Sequence, residues 1–483
     1  MLRRLHGICL FWIVTWAVWP SAVPEAAAET RQASLEEDAL LVSDIHFDPF
    51  VDASRVSALA AAPVAAWRGI LDGQSVAANG VRPSEAEKAC RSRGPDTSEA
   101  LLVSSMKAIR AEAHGVRFAT IAGDLLAHNF DCKFAVVFPH ASQNAYRDFA
   151  IKTMEYVILQ LRATLPGVPV YPALGNNDSG CGDYLLDPDS PFLAASAAAF
   201  VADVPKSERR HAQSAFAAHG GYTTTLPDGH GKLRLVAIDN LFESKKYAGC
   251  NNKPNPQAAR GQLAWLKGQL DQARARGERV WLVGHIPPGV DPYSTALHLR
   301  NICSGDSPEY FLSGDALPAL LGSYGDVIRL AIFSHTHMDE MRLIPANAAS
   351  NHGPVPVKMI PSISPINGNL PSFTVATLNI QSGILDDYRV VSSSDAAGSG
   401  WTESYRFRQA YGKPAFTAAT VSNLMDQFHA DPAATGAASK AYLRGYTLRG
   451  GDLLMSAFWQ QYTCSLANMT SGSYRSCRCQ STP

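Results

Sequence analysis

One pattern recurs along this chain: a short apolar run, then at once a cluster of histidine, aspartate or asparagine. Ala39 to Ser43 precedes Asp44-Ile45-His46, and Val116 to Ala122 precedes Gly123-Asp124, with His128 shortly beyond. Val168 to Leu174 precedes Gly175-Asn176-Asn177-Asp178. Arg279 to Val283 precedes Gly284-His285, and Val327 to Phe333 precedes Ser334-His335-Thr336-His337. Runs of this length suit buried strands. Helical spacing fills the gaps: residues 98–113, Tyr146 to Leu165 stopped by Pro166-Gly167, the alanine-rich 192–219, and Gln257 to Arg276 ended by Gly277. Strands alternating with helices predict an α/β domain with helices on both faces of a sheet. Polar residues at strand ends are where open sheets of that class place their sites.

Gly221 to Leu226 and Lys232 to Ile238 read as a hairpin around Pro227-Asp228-Gly229. Val355 to Ile360, Ser372 to Ile380 and Ile384 to Val391 are further strand candidates with little helix between them, which predicts a second sheet packed on the first. Residues 47–98 are rich in Ala, Pro, Gly and charge and read as a long insertion holding one or two helices and no strand. After Asp395 the composition shifts, and 415–463 carries helix-like apolar spacing before a Ser/Thr/Cys tail. The expected organisation is therefore an export signal over 1–28, a catalytic domain over 29–395, and a small helical, cysteine-containing subdomain over 396–483.

The signal reading rests on Arg3-Arg4, the apolar run Ile8 to Trp19, and small residues at Ala26-Ala27-Ala28. A buried helix or an uncleaved anchor is the alternative, but the run falls short of the roughly 20 apolar residues of a membrane span. Nothing later in the sequence is long and apolar enough to span a bilayer. Cys9 lies in that segment; Cys90, Cys132, Cys181, Cys250, Cys303, Cys464, Cys477 and Cys479 remain. An even number in an exported chain favours disulfides over thiolate zinc sites, and Cys464 with Cys477 or Cys479 would close a small loop. A secreted or periplasmic location follows. The formal net charge of -1, with no long basic run, disfavours nucleic acid as a partner.

The polar clusters supply what a pair of divalent metals needs. Asp44 and His46 alternate, as do His335 and His337, so on extended backbone each pair would point one way. Asp124 has two oxygens and could bridge. The expected arrangement gives one ion Asp44, His46, Asp124 and His337, and the other Asp124, Asn176, His285 and His335. Nitrogen and oxygen donors without thiolate suit zinc, manganese or iron better than calcium. Two such ions outweigh two aspartates and leave a positive pocket for phosphate, with an acidified water as nucleophile. His128, close behind Asp124, is the candidate general acid. Each motif alone has a plain reading as a turn or loop; their joint occurrence behind strand-like runs carries the dinuclear expectation.

These residues resemble the calcineurin-like metallophosphoesterase superfamily, whose pattern is Asp-x-His, Gly-Asp, Gly-Asn-His, Gly-His and Gly-His-x-His. Within it the chain is most similar to the acid sphingomyelinase group, through Gly123-Asp-Leu-Leu-Ala-His128-Asn129, Ala237-Ile-Asp-Asn240, Gly284-His-Ile-Pro-Pro288, His335-Thr-His-Met-Asp-Glu340 and the cysteine-bearing helical tail. The resemblance implies a four-layer fold, two sheets between helices, a two-zinc centre, and phosphodiester substrates outside the cytoplasm. Two positions depart from the pattern. Asn177 stands where the family has a histidine that assists the transition state or leaving group, and an amide donates a hydrogen bond but no proton; the same Gly-Asn-Asn-Asp occurs in related endopolyphosphatases. Ser334 replaces a glycine, with little consequence expected.

The expected function is an exported, monomeric phosphoesterase acting on a lipid headgroup, a nucleotide or polyphosphate. A polyphosphatase or nucleotide phosphohydrolase, a phosphomonoesterase, and a non-catalytic binding protein on the same scaffold are the alternatives. Asp178, Asp339 and Glu340 read equally as supports for ligands or as solvated loop, Asn240 as a turn residue or a lining of the pocket, and Trp67, Tyr293 and Phe311 as apolar packing of insertions or as the rim of the site. Asn468-Met-Thr470 is a glycosylation sequon.

Overall fold

The computed structural model describes residues 36–72, 85–227, 231–449 and 453–479. The signal expected over 1–28 lies outside them. Leu35–Pro483 forms one compact unit.

Among the described residues, twelve strands make two six-stranded sheets. The first contains β1 (Glu36–Val42), β2 (Phe118–Ala122), β3 (Val170–Ala173), and, from the far end of the chain, β10 (Ser372–Asn379), β11 (Leu385–Ser392) and β12 (Thr402–Arg406). Its order is β12-β11-β10-β1-β2-β3. The second contains β4 (Tyr222–Thr225), β5 (Leu233–Ala237), β6 (Arg279–Val283), β7 (Ile328–Phe333), β8 (Glu340–Ile344) and β9 (Val355–Met359), in the order β4-β5-β6-β7-β9-β8. The inner pairs β1–β2–β3 and β5–β6–β7–β9 are parallel, and the pairs outside them antiparallel. This explains the continuous apolar runs: a parallel strand is buried on both faces, so Leu40, Leu41 and Val42 are all fully covered.

The sheets face each other. Phe118 of β2 meets Trp281 of β6 edge-on at 5.7 Å, and the Tyr222 hydroxyl donates to the Pro172 carbonyl at 3.0 Å. Helices Glu99–Glu112 and Gln143–Thr164 cover the first sheet, and Pro256–Ala275 the second, which completes the four layers. Ser98 and Ser142 cap the first two helices by accepting from Leu101 N–H and Ala145 N–H.

The hairpin forms as expected between β4 and β5. The insertion 47–98 holds only short helices among its described residues: Pro49–Asp52, Ala53–Ala61, Val64–Ala66, Trp67–Leu71 and Glu85–Ala89. Two strands escaped the sequence pattern. In β8, Glu340 and Arg342 are buried as an ion pair, which masks the apolar signal. The edge strand β12 (Thr-Glu-Ser-Tyr-Arg) is polar; it lies past residue 395, so helical structure resumes only at Phe407. All eight cysteines after the first pair as Cys90–Cys132, Cys181–Cys250, Cys303–Cys479 and Cys464–Cys477. The small C-terminal loop is thus closed by Cys477, while Cys479 ties the tail to the segment after His285.

Candidate metal centre

Asp44, His46, Asp124, Asn176, His285, His335 and His337 all sit at the carboxyl ends of parallel strands, where the two sheets meet. They form two groups that share Asp124. In one, His46 Nε2 lies 3.2 Å from His337 Nε2, 3.5 Å from Asp124 Oδ2 and 3.8 Å from Asp44 Oδ1; His337 Nε2 lies 3.5 Å from Asp44 Oδ1. In the other, His285 Nε2 lies 3.1 Å from both Asp124 Oδ2 and Asn176 Oδ1, and 3.3 Å from His335 Nδ1. Four donors about 2.0–2.1 Å from one tetrahedral ion stand about 3.3 Å apart, which matches these spacings. Asp44 Oδ1 is buried without a hydrogen-bond partner, as an oxygen waiting for a cation would be. The donor set therefore fits two divalent ions.

The backbone differs from the expectation. Asp44, His46, Asp124, His335 and His337 are not extended: their φ values are 45°, 46°, 54°, 70° and 68°. Each pair still reaches one cluster, but through left-handed turns rather than strand alternation, a conformation that non-glycine residues hold only where the surroundings enforce it. Crowding also dictates glycine at 175, where a Cβ would come within 2.2 Å of Asp124 Oδ1.

Three side chains enforce the geometry. Asp178, ambiguous in sequence, accepts from the N–H groups of Leu125 (2.8 Å), Leu126 (3.0 Å) and Gly175 (2.9 Å), tying the loops after β2 and β3 together. Burial and the nearby Asp124 push its carboxyl up to about 7 against those donors. Asn240 is no mere turn residue: its Oδ1 accepts from His285 N–H and Ile286 N–H at 3.0 Å each, fixing the loop after β6. Ser334 does more than fill the place of a glycine, since its hydroxyl donates to the Ala122 carbonyl at 2.7 Å.

The ring tautomers follow from their partners. His46 Nδ1 faces the Leu126 carbonyl and His285 Nδ1 the Ala122 carbonyl, each at 2.8 Å. Both Nδ1 atoms therefore donate, and both Nε2 lone pairs face the centre. Burial works against protonation, but Asp124 outweighs it and lifts His46 to about 10 and His285 to about 9. Burial drives His335 and His337 down to about 3. Asp44 and Asp124 lie well below the usual range: burial opposes, but the surrounding imidazoles prevail. Without metal the centre holds two protons where two cations fit.

His128 stands at the opening, its side chain 30% exposed and its ring stacked on His46 at 4.0 Å. Asp96 accepts from its Nδ1 at 3.0 Å and from its backbone N–H at 2.8 Å. Ser364 Oγ donates to the same carboxylate, and Lys133 lies 3.8 Å away. Sequence reasoning missed Asp96; a lone aspartate in an aperiodic insertion gives no signal. Asn177 turns its amide onto Asp124 Oδ2 at 2.9 Å, which makes it a positioning residue in this arrangement.

Of the remaining candidates, Asp339 and Glu340 are buried rather than solvated, paired with Lys358 and Arg342. Trp67 packs in the core against Phe149 and Tyr156. Phe311 stands edge-on to His335 at 5.9 Å, and Tyr293 is half exposed.

The family model for calcineurin-like phosphoesterases matches residues 39–339, which spans every one of these ligand candidates. The chain belongs to the calcineurin-like phosphoesterase family. Among curated relatives of this calcineurin-like phosphoesterase, sphingomyelinase phosphodiesterase C of Dictyostelium discoideum is 27% identical over 250 residues, 47% of this chain and 49% of its own length. Cyclic GMP-AMP phosphodiesterase SMPDL3A of Mus musculus is 24% identical over 403 residues, 79% of this chain and 81% of its own. Endopolyphosphatase of Schizosaccharomyces pombe is 27% identical over 255 residues, 48% and 41% respectively. The chain thus spans about half the length of the first of these. The resemblance to acid sphingomyelinase-like phosphodiesterases found in the sequence holds.

Proposed function

We propose that this protein is an exported hydrolase that cleaves a phosphodiester or phosphoanhydride with two divalent metal ions. The observation that carries the reading is the pair of donor groups hinged on Asp124, spaced as two ions require. One ion would be held by Asp44, His46, Asp124 and His337, the other by Asp124, Asn176, His285 and His335. The donors favour zinc, with manganese or iron as alternatives. When bound, such ions supply an acidified water and Lewis-acid contacts for phosphoryl oxygens.

The chain's own groups do the rest. The Leu126 and Ala122 carbonyls hold the His46 and His285 rings in their liganding tautomer. Asn177 and Asp178 fix Asp124 and its loop. Asp96 accepts from Nδ1 of His128, so that when the ring is doubly protonated its Nε2–H is the one left to pass a proton to the departing oxygen. Four disulfides among the described residues support export to an oxidising compartment.

Metal content and turnover of the purified protein test this. Two ions per chain and cleavage of bis-p-nitrophenyl phosphate, abolished by chelation, are expected. Preference for p-nitrophenyl phosphate would make the protein a monoesterase. No turnover despite full metal loading would make it a binding protein.

A further inference from the structure

The two donor groups hinged on Asp124 are not supported alike. In the first, His46 Nδ1 donates to the Leu126 carbonyl at 2.8 Å, and His337 Nδ1 faces the Ser362 hydroxyl at 3.2 Å. In the second, the Ala122 carbonyl holds His285 in the same manner. Asn176 and His335 are held differently. Both take their outer partners from one short segment, Cys181 to Asp187.

Asp183 Oδ1 accepts from the Asn176 amide Nδ2 at 2.8 Å. A carboxylate accepts and does not donate, so it takes the NH2 end of the amide. The carbonyl end, which can hold a cation, is thereby turned toward the centre, 3.1 Å from His285 Nε2. A reversed amide would point N–H groups at the ion. His335 presents Nδ1 to the centre, 3.3 Å from His285 Nε2, whereas His46 and His285 present Nε2. A neutral ring that binds through Nδ1 carries its proton on Nε2. Among the described residues, the hydrogen-bond partner of that Nε2 is the Tyr184 hydroxyl at 3.4 Å.

The segment is tied down on both sides. Tyr184, at a φ of 57°, donates its N–H to the Asn176 carbonyl at 3.0 Å. Its own carbonyl accepts from Ala248 N–H at 3.1 Å, and Leu186 N–H donates to the Ala248 carbonyl at 3.2 Å. The Cys181–Cys250 disulfide and a bond from Cys250 N–H to Asp187 Oδ1 at 3.2 Å close the two stretches into a strap. Among the described residues, none of the strap's hydrogen bonds reaches Asp44, His46 or His337.

We propose that Asp183 and Tyr184 are positioning residues for one ion alone, the ion assigned to Asp124, Asn176, His285 and His335. This rests on the two-metal reading above. The strap fixes the orientation of the two ligands that no other part of the chain orients, so loosening it releases that ion and spares the other.

Zinc titration of the chelated protein by calorimetry, with zinc counted by elemental analysis after dialysis, tests this. The wild type should bind two ions. Asp183→Ala should weaken one of them about 10–100-fold and leave the other unchanged, the usual effect of removing a partner of a metal ligand. Tyr184→Phe keeps the ring, loses the hydroxyl, and should weaken the same ion about 10-fold. Asp183→Asn retains an acceptor for the Asn176 amide and should keep most of the affinity. Combination with single-site variants says which ion is affected. Asp183→Ala should change nothing further in His335→Ala, where one ion remains, but should weaken the ion that remains in Asp44→Ala. Unchanged affinities in Asp183→Ala and Tyr184→Phe overturn the inference. So does equal weakening of both ions, or an Asp183→Asn variant as weak as Asp183→Ala. Fewer than two ions in the wild type overturns the two-metal reading itself.

Discussion

Asp96 binds His128 twice, accepting from the ring Nδ1 at 3.0 Å and from the backbone N–H at 2.8 Å. Burial opposes ionisation of this carboxyl, but His128, His46 and Lys133 hold it well below the usual range. The result is a ring whose tautomer and direction are both set before any substrate arrives. Replacing His128 by Ala should lower kcat by roughly 10²–10⁴-fold, the usual span for a general acid. Asp96→Asn keeps the shape but loses the charge, and about a 10-fold fall in kcat is expected with KM unchanged. Both variants should retain their metals by elemental analysis. Loss of metal from His128→Ala would instead make it a ligand, which its approach to His46 and His337 permits geometrically.

Asp178 is the point where two ligand loops are tied. Removing an acceptor of three N–H groups leaves those donors buried and unpaired, so Asp178→Ala should cost on the order of 3 kcal/mol. Because Leu125 follows Asp124 directly and Gly175 precedes Asn176, metal affinity should fall with stability. Denaturant titration of the metal-free and metal-loaded variant reads both effects. Equal midpoints for variant and wild type in either form would remove the clamp from the account.

The ligand candidates were legible in the sequence because each follows an apolar run, and parallel strands buried on both faces leave such runs unbroken. Asp44, His46, Asp124, Asn176, His285, His335 and His337 could therefore be grouped without coordinates. Their backbone could not. Five of them adopt positive φ, and nothing about Asp or His announces that, since the conformation is imposed by neighbours from other loops. Asp96 was hidden for a related reason: it reaches His128 across 32 residues from a segment without periodicity. Asp339 and Glu340 read as solvated loop or as ligand supports alike, because charge looks solvated until its partners, Lys358 and Arg342, are seen beside it. The disulfide partner of Cys479 lies 176 residues away, a pairing no spacing rule supplies.

Metal loading should be tied to protons. In the metal-free centre His46 and His285 titrate near 10 and 9, above the ordinary 6.5. Both rings must give up the Nε2 proton to bind an ion, so loading at pH 7 should release about two protons per chain and weaken as pH falls. Calorimetry in buffers of different ionisation enthalpy measures that release directly; a value near zero would sink the assignment. The sign for stability is the opposite one. A histidine whose folded value is raised stabilises the fold fully below pH 6.5, and that contribution disappears as pH climbs through 9 to 10. The chelated protein should therefore lose Tm across that range, while the metal-loaded protein should not lose it by this route.

Two residues beyond His337, Asp339 is buried against Lys358, itself fully buried, with the Tyr405 hydroxyl on the other carboxylate oxygen. Lys358 also donates to the Met359 carbonyl at 2.6 Å and lies over the Tyr388 ring at 4.7 Å. Asp339 N–H in turn donates to the Tyr446 carbonyl, so this pair joins the ligand loop to the C-terminal helices. Breaking a buried pair from one side strands the other charge, whereas removing both charges is close to neutral. Lys358→Met alone should thus cost roughly 3–5 kcal/mol, and Lys358→Met with Asp339→Asn should recover most of it. Equilibrium unfolding of the two single variants and the double variant closes the cycle. If the double variant is as unstable as Lys358→Met, the loss comes from packing around the lysine stem and not from the stranded carboxylate.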